Sequence, residues 1–67
     1  MVINSKNIKA LMNEQLMIQS ELAERAGVSR VTINTALLRG SCSRNTVRRI
    51  AKALNVDVEE IIEKEGE

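Results

Sequence analysis

Residues 19–40, QSELAERAGVSRVTINTALLRG, have the pattern of two short helices joined by a glycine turn. Leu22, Ala23 and Ala26 give the first helix one apolar side, and Ala23 is small enough to let a second helix cross closely. Gly27 lies where the first helix must end, and glycine tolerates the left-handed conformation that such a terminus often adopts. The stretch therefore predicts a helix-turn-helix.

The second of these helices is expected over residues 29–38, with Ser29 as its N-cap. Its apolar residues Ile33, Ala36 and Leu37 recur at helical spacing and would face the core. Four side chains then share another, exposed face: Arg30, Val31, Asn34 and Thr35. A helix that presents such a face to a groove is typical of DNA-binding proteins, so the motif favours DNA binding.

Length and composition indicate one small all-α domain. The chain has 67 residues, and it contains no aromatic residue and no proline. Strand-like alternation is absent, so a bundle with a core of aliphatic side chains is the natural solution. We expect a single domain over residues 1–67, with an ordered core over about residues 4–62.

Several classes of protein are disfavoured. The apolar runs are too short for a membrane span, and the N-terminal residues lack the apolar centre of a signal peptide, which predicts a cytoplasmic protein. With one cysteine, Cys42, and no histidine, neither an internal disulfide nor a zinc site is expected. No glycine-rich phosphate loop and no paired carboxylates are evident. We therefore expect no enzyme, cofactor, metal or small-molecule ligand.

Charge is strongly segregated along the chain although the net charge is only +1. Residues 25–56 carry seven basic side chains and no acidic one, whereas residues 57–67 carry six acidic side chains and one lysine. This division suggests one face for a polyanion and another turned away from it. The alternative is a set of ordinary solvated helix faces.

Three further helices are expected around the motif. The first begins after Asn4 or Ser5 and ends near Gln15, with Ile3 and Ile8 spaced as a hydrophobic staple. Another runs from Ser43 or Asn45 to Leu54; its inner positions are Val47, Ile50, Ala51 and Leu54. The fifth is expected to begin at Asp57, with Glu60 completing a capping box and Val56 and Ile61 forming a staple.

The chain resembles the phage repressor and Cro type of helix-turn-helix domain, the XRE-like group of bacterial and phage regulators. The resemblance rests on IKAL at residues 8–11, on residues 19–30, and on RRIAKALNVDVEEII at residues 48–62. It implies a compact five-helix lambda-repressor-like fold, with the helix-turn-helix at helices 2 and 3. It also implies a recognition helix in the major groove of double-stranded DNA, a palindromic operator and commonly a homodimer.

The resemblance also assigns roles to residues. Base reading would fall to Arg30, Val31, Asn34 and Thr35. Gln19 occupies the place where relatives often have a glutamine that contacts a phosphate. Further phosphate contacts are expected at the N-termini of two helices and in the loop between them: Ser29, Arg39, Ser41, Ser43 and Arg44. Three other cations, Arg48, Arg49 and Lys52, either fringe the DNA or pair with Glu59 and Glu63.

Two departures from the family pattern concern the core and the start of the second helix. Many relatives pair an arginine of the first helix with a glutamate of the third, and the corresponding residues here are Met12 and Leu37. We expect these two side chains to be in contact, because an apolar pair can replace a buried ion pair without a loss of stability. Ile18 stands where relatives often have a Ser or Thr cap, so the second helix is expected to be weakly capped.

A dimer surface is expected at the fifth helix and the turn before it, comprising Asn55, Val58, Ile61 and Ile62. Alternatively, these residues complete the core of a monomer that pairs only on DNA. The sequence thus predicts a sequence-specific DNA-binding transcriptional regulator, a repressor, in a bacterium or phage. The alternatives are an antitoxin-type regulator and a helical protein-interaction module that retains the fold.

Overall fold

The computed structural model describes residues 1–63 and contains four α-helices followed by a short 3-10 helix. The helices are α1 (Ser5–Glu14), α2 (Gln19–Ala26), α3 (Arg30–Arg39) and α4 (Arg44–Leu54), and the 3-10 helix spans Val58–Glu60. Within residues 1–63 the only β-structure consists of two isolated bridges. The all-α prediction is therefore confirmed, whereas the prediction of five α-helices is wrong by one.

The start of α1 agrees with the sequence-based prediction. Oδ1 of Asn4 accepts a hydrogen bond of 3.0 Å from the backbone N–H of Asn7, so Asn4 is the N-cap. Ile3 and Ile8, on either side of this cap, are both buried in the core, as a staple requires. Met12 and Leu37 are also buried and belong to one core cluster, although a contact between them stays a prediction.

The turn between α2 and α3 has the expected conformation. Gly27 ends α2 with φ +73°, in the left-handed region. The backbone N–H of Val28 then donates to the carbonyl oxygen of Ala23 at 3.0 Å. Ser29 caps α3 by accepting a 3.1 Å hydrogen bond from the N–H of Thr32. These local bonds fix the direction in which α3 leaves α2.

Helix α2 packs against both α3 and α4. Leu22 and Ala23 of α2 are buried in the core, and Ala23 is 4 % exposed. In α4 the four inner positions predicted from the sequence are all buried. The core contains aliphatic side chains only, and among residues 1–63 no polar or charged residue is buried.

The fifth helix is replaced by the 3-10 helix and an extended segment. Asp57 makes no side-chain capping hydrogen bond, so the expected capping box is absent. The side-chain amide of Asn7 donates to the carbonyl oxygen of Glu60, and the N–H of Glu63 donates to Val2 O at 3.0 Å. Backbone groups that would continue a helix are therefore paired with the N-terminal part of the chain instead.

This pairing forms a feature that the sequence analysis did not predict, here called the terminal ribbon. It consists of residues 1–3 lying between residues 40–42 and residues 61–63, with bridges Val2–Ser41 and Ile3–Ile62. Ile3 N–H donates to Gly40 O at 2.9 Å, and Asn4 N–H donates to Ile61 O at 2.7 Å. The ribbon holds the loop after α3 and the segment after the 3-10 helix against the start of the chain.

We expect Ile3→Ala to destabilise the domain by about 2–5 kcal/mol, because the Ile3 side chain is 2 % exposed and its truncation leaves a cavity. The matched control is Ile18→Ala, since Ile18 is 64 % exposed and its truncation should change stability by less than about 0.5 kcal/mol. Urea unfolding followed by circular dichroism measures both. Equal losses at the two positions would contradict the ribbon.

A second pair of variants tests the helix ends at Gly27 and Gly40, which have φ values of +73° and +72°. Alanine at either position should cost about 1–2 kcal/mol for the left-handed conformation. A Cβ at Gly27 would also lie 3.0 Å from Nη1 of Arg49, whereas a Cβ at Gly40 meets open space. Gly27→Ala should therefore be the more destabilising change in thermal unfolding.

The excess cost at Gly27 should disappear when Arg49 is first replaced by alanine. Without Arg49 there is no guanidinium for a Cβ at position 27 to displace. Gly27→Ala and Gly40→Ala should then lower the free energy of unfolding by the same amount. An excess that persists without Arg49 would show that this contact does not account for the difference.

Candidate nucleic-acid interface

Helix α3 presents one polar face to solvent and one apolar face to the core. Ile33, Ala36 and Leu37 are buried, with exposed fractions between 0 % and 7 %. All four residues predicted to read bases are exposed: Arg30, Val31, Asn34 and Thr35. Val31 is 73 % exposed, so an aliphatic side chain stands on the outer face of a helix where the fold makes no use of it.

An open groove of about 450 Å³ lies between the start of α2 and the start of α3. Three of the predicted base-reading residues line it, and so does Gln19, the first residue of α2. The complete lining is Ile18, Gln19, Ser20, Arg30, Val31 and Asn34. The structure therefore brings the predicted phosphate contact of α2 together with the exposed face of α3.

A second groove of about 310 Å³ lies on the other side of α3, against the α3–α4 loop and the start of α4. Its predicted members are Val31, Thr35 and Arg39 from α3, together with Ser41 and Ser43. It is also lined by Thr32, Ala36, Cys42 and Thr46. Because Val31 lines both grooves, α3 forms a ridge between them.

The N-termini of α3 and α4 are built alike. Ser29 Oγ lies 2.9 Å from Thr32 Oγ1, and Ser43 Oγ lies 2.9 Å from Thr46 Oγ1. Each serine also accepts a hydrogen bond from the threonine N–H. The bond between the two hydroxyls of a pair uses one of their two protons. The other proton can be donated to an anion at the helix N-terminus. Thr32 and Thr46 were missed by the sequence analysis, although the repeated Ser-Arg-x-Thr spacing could have indicated them.

The sequence-predicted phosphate residues are spread over both grooves and their margins. Gln19 lines the first groove, while Arg39, Ser41 and Ser43 line the second. Ser29 and Arg44 line neither groove, but both are exposed, at the N-cap of α3 and at the first residue of α4. No acidic residue lines either groove, so the whole surface is suited to a polyanion.

The α2 N-terminus has a different cap from the other helices. Ile18 is its N-cap and offers no side-chain acceptor, but its own N–H donates to Oε1 of Glu21 at 3.3 Å. Half of a capping box is therefore present, which agrees with the expectation of a weakly capped helix. Ile18 also lines the first groove, and the sequence analysis did not assign it to the interface.

Cys42 is half-buried in the second groove. Desolvation by burial raises the pKa of its thiol, and the positive charge of the α-amino group opposes this increase. The thiol is therefore neutral at physiological pH and adds no negative charge to the surface.

The three cations of α4 whose role was left open line neither of the two grooves beside α3. Arg49 Nη1 donates to the carbonyl oxygen of Ala26 at 3.3 Å, so this side chain binds the C-terminal end of α2. A cation at this position also interacts favourably with the helix dipole. Arg48 and Lys52 line a basic groove together with Arg25. They also line a groove with Asp57 and Glu60, residues of the chain that follows α4.

The residues predicted to form a dimer surface do not form one exposed patch. Ile61 is 0 % exposed within the monomer, so its side chain belongs to the core and is not available to a partner. Val58 and Ile62 are half-buried and Asn55 is exposed at the left-handed C-cap of α4. The alternative interpretation, in which these residues complete the monomer core, therefore applies to Ile61.

Other kinds of site find no support in the part of the chain that the structure describes. Among residues 1–63, no group of three histidine, cysteine, aspartate or glutamate side chains is placed to hold a metal ion. No helix within these residues is long and apolar enough to cross a membrane.

Comparison with known proteins identifies the family. A family model described as a Cro/C1-type HTH DNA-binding domain matches residues 7–67. Comparisons with curated proteins and with solved structures returned no match. The matched range includes all of α2, α3 and α4 and most of α1. Since it covers well over half of the sequence, the chain belongs to the family of Cro/C1-type helix-turn-helix DNA-binding domains.

Proposed function

We propose that this chain is a sequence-specific regulator of transcription, a repressor, that reads the major groove of double-stranded DNA with residues 29–38. The observation that carries the proposal is the α3 ridge, which exposes every predicted base-reading side chain between two grooves free of acidic residues. A ridge of this kind has the width of a single helix, which the major groove admits.

Each exposed side chain of the ridge has a distinct chemical role in this proposal. Arg30 can donate two hydrogen bonds to guanine O6 and N7, and Asn34 can pair with the N6 and N7 of adenine. Val31 can pack against the methyl group of thymine, and Thr35 offers either a methyl group or a hydroxyl. Mixed donors, acceptors and aliphatic groups on one face support sequence-specific recognition over simple attraction to phosphate.

Contacts to the phosphates of the DNA backbone would hold the α3 ridge in a fixed position relative to the bases. We assign them to six residues: Gln19, Arg39, Ser41 and Ser43, which line the two grooves, and Ser29 and Arg44, which are exposed at the starts of α3 and α4. The helix N-termini at Ser29 and Ser43 supply unpaired backbone N–H groups and partial positive charge in addition to their hydroxyls. Such contacts fix orientation and supply affinity for any sequence.

Repression would follow from occupancy of an operator by a homodimer. One domain of this size contacts only a few base pairs, whereas two copies on a palindromic site join two such contacts. We place this activity in the cytoplasm of a bacterium or a phage-infected cell, where such operators are accessible. The family membership supports DNA binding itself; symmetry and sign of regulation are proposals.

The proposed function is tested by selection from randomised duplexes, followed by affinity measurements at several salt concentrations. We expect an inverted repeat to be recovered, and its affinity should fall steeply with salt because bound cations are released from the phosphates. Recovery without a consensus sequence would contradict specific recognition. A salt-insensitive protein partner in place of DNA would favour an interaction module instead.

Alanine at Arg30 or Asn34 should reduce discrimination between the selected duplex and random DNA by about 1–3 kcal/mol, the value of one bidentate base contact. Arg48→Ala is the control, since Arg48 is an exposed arginine outside both α3 grooves and should leave the ratio of the two affinities unchanged. Fluorescence anisotropy with both duplexes gives this ratio. An equal loss on both duplexes would show that Arg30 and Asn34 contact phosphates only.

A further inference from the structure

A groove of about 430 Å³ lies between the C-terminal end of α2 and the exposed face of α4, and it carries positive charge only. It is called here the basic groove. Among residues 1–63, no carboxylate lines it, whereas four cations from two helices do. None of these cations lines the grooves beside α3. The main lining residues are Arg25, Gly27, Asn45, Arg48, Arg49 and Lys52.

The basic groove adjoins two residues that are already proposed to contact phosphates. Gly27 precedes Ser29 by two residues, and Asn45 directly follows Arg44. Ser29 and Arg44 are exposed at the starts of α3 and α4, although they line neither groove beside α3. A DNA backbone bound at these two helix N-termini would therefore lie next to the basic groove.

The C-terminal end of α2 forms one wall of the basic groove, and its partial negative charge alone would repel a phosphate. Two cations offset this charge. Arg25 lies in the last turn of α2, and Arg49 Nη1 donates to the carbonyl oxygen of Ala26 at 3.3 Å. A guanidinium has five N–H donors, so most of those of Arg49 remain for an anion. The hydrogen bond to α2 therefore holds a positive charge in the groove before any ligand binds.

The lining of the groove favours a nucleic-acid backbone over an acidic protein. Protein interfaces depend on apolar and aromatic anchors near their centre. Among residues 1–63, the only apolar side chain that lines the basic groove is that of Ala26, and it is buried. Arginine, lysine and asparagine side chains are instead common donors to phosphate oxygens. The groove thus has the chemistry of a DNA-backbone contact.

We propose that the basic groove binds the sugar–phosphate backbone of the duplex just outside the base pairs that α3 reads. This inference rests on the proposed function and extends it, because it lengthens the contact with DNA without adding a base contact. Asn45 and Lys52 are about 10 Å apart along α4 at 1.5 Å per residue. Since one strand rises by about 3.4 Å per nucleotide, the groove spans about three nucleotides.

Acidic residues after α4 limit the contact at its far end. Arg48 and Lys52 also line a groove with Asp57 and Glu60. These carboxylates repel phosphate, so the DNA backbone should leave the protein before it reaches residues 57–60. The segregation of charge along the chain would then mark where the bound DNA ends.

Duplexes of different length test the basic groove. The shortest ends at the outermost base pairs of one selected half-site. Two longer ones carry about six further base pairs of unselected sequence at one end or the other, roughly twice the reach of the groove. Fluorescence anisotropy gives the affinity of each over a range of salt concentrations. One extension should strengthen binding and steepen the slope of log affinity against log salt by about two units, whereas the other should add little.

The test variant combines Arg25→Gln with Arg48→Gln, which removes one cation from each wall of the groove. On the duplex whose extension strengthens binding, the salt slope should become shallower by about two units, one for each lost phosphate contact. On the shortest duplex the affinity should be unchanged. Lys6→Gln with Lys9→Gln is the matched control, because it removes the same charge from exposed positions of α1 and should change no slope. Circular dichroism melting should show that both variants are folded.

Equal gains from the two extensions would overturn the proposal, because they would reflect the added charge of the DNA and not a groove on one side of the half-site. An equal loss of affinity on all three duplexes for the Arg25 and Arg48 variant would also overturn it, since the contact would then lie within the half-site. If the shortest duplex is bound specifically and neither extension adds affinity, the role of the basic groove is wrong and the proposed function stands. If no duplex is bound, both are wrong.

Discussion

The close crossing of α2 with α3 is the constraint on which the rest of the structure depends. Ala23 of α2 is only 4 % exposed, so a larger side chain there would overpack the core that α2 shares with its neighbours. The same helix also packs on α4, so α2 fixes the two elements that line the second groove. Gly27 and Ser29 then set the angle between α2 and α3, Gly27 through a backbone hydrogen bond to Glu24 and Ser29 through its side-chain cap on the N–H of Thr32. Movement at this crossing would therefore change the ridge and both grooves together.

Local signals were sufficient to predict most of the helices. Asn4, Ser29 and Ser43 each form an N-cap with a backbone N–H three residues further along. Ser29 was predicted as a cap, whereas Asn4 and Ser43 were each one of two possible starts of their helices. The prediction of a fifth α-helix is wrong because a long-range interaction replaces what the local signals indicated. Its capping signals at Asp57 and Glu60 are also local, but residues 61–63 gain backbone partners from residues 2–4, almost 60 positions away along the chain. No periodicity within a short window reports such a pairing, so the terminal ribbon could not be predicted from the pattern.

The candidate interface was predictable to a similar extent and for similar reasons. Helical spacing showed which side of α3 would be exposed, because Ile33 and Leu37 define the buried side. It did not show that Ile18 and Thr46, from two other helices, would line the grooves beside this face. The grooves arise from the packing of α2 and α4 around α3, which is a property of the tertiary structure. The burial of Ile61 likewise follows from the ribbon and not from its own neighbours in sequence.

The starts of α3 and α4 also imply a conflict between folding and ligand binding. Each begins with an arginine, Arg30 or Arg44, and neither has an acidic residue in its first turn. Positive charge at this end opposes the helix dipole, so the unliganded chain retains an electrostatic repulsion that a carboxylate would relieve. An aspartate introduced there would raise the melting temperature and, by the same charge, repel phosphate. Selection for thermal stability alone would thus be expected to erase the surface that makes the domain useful.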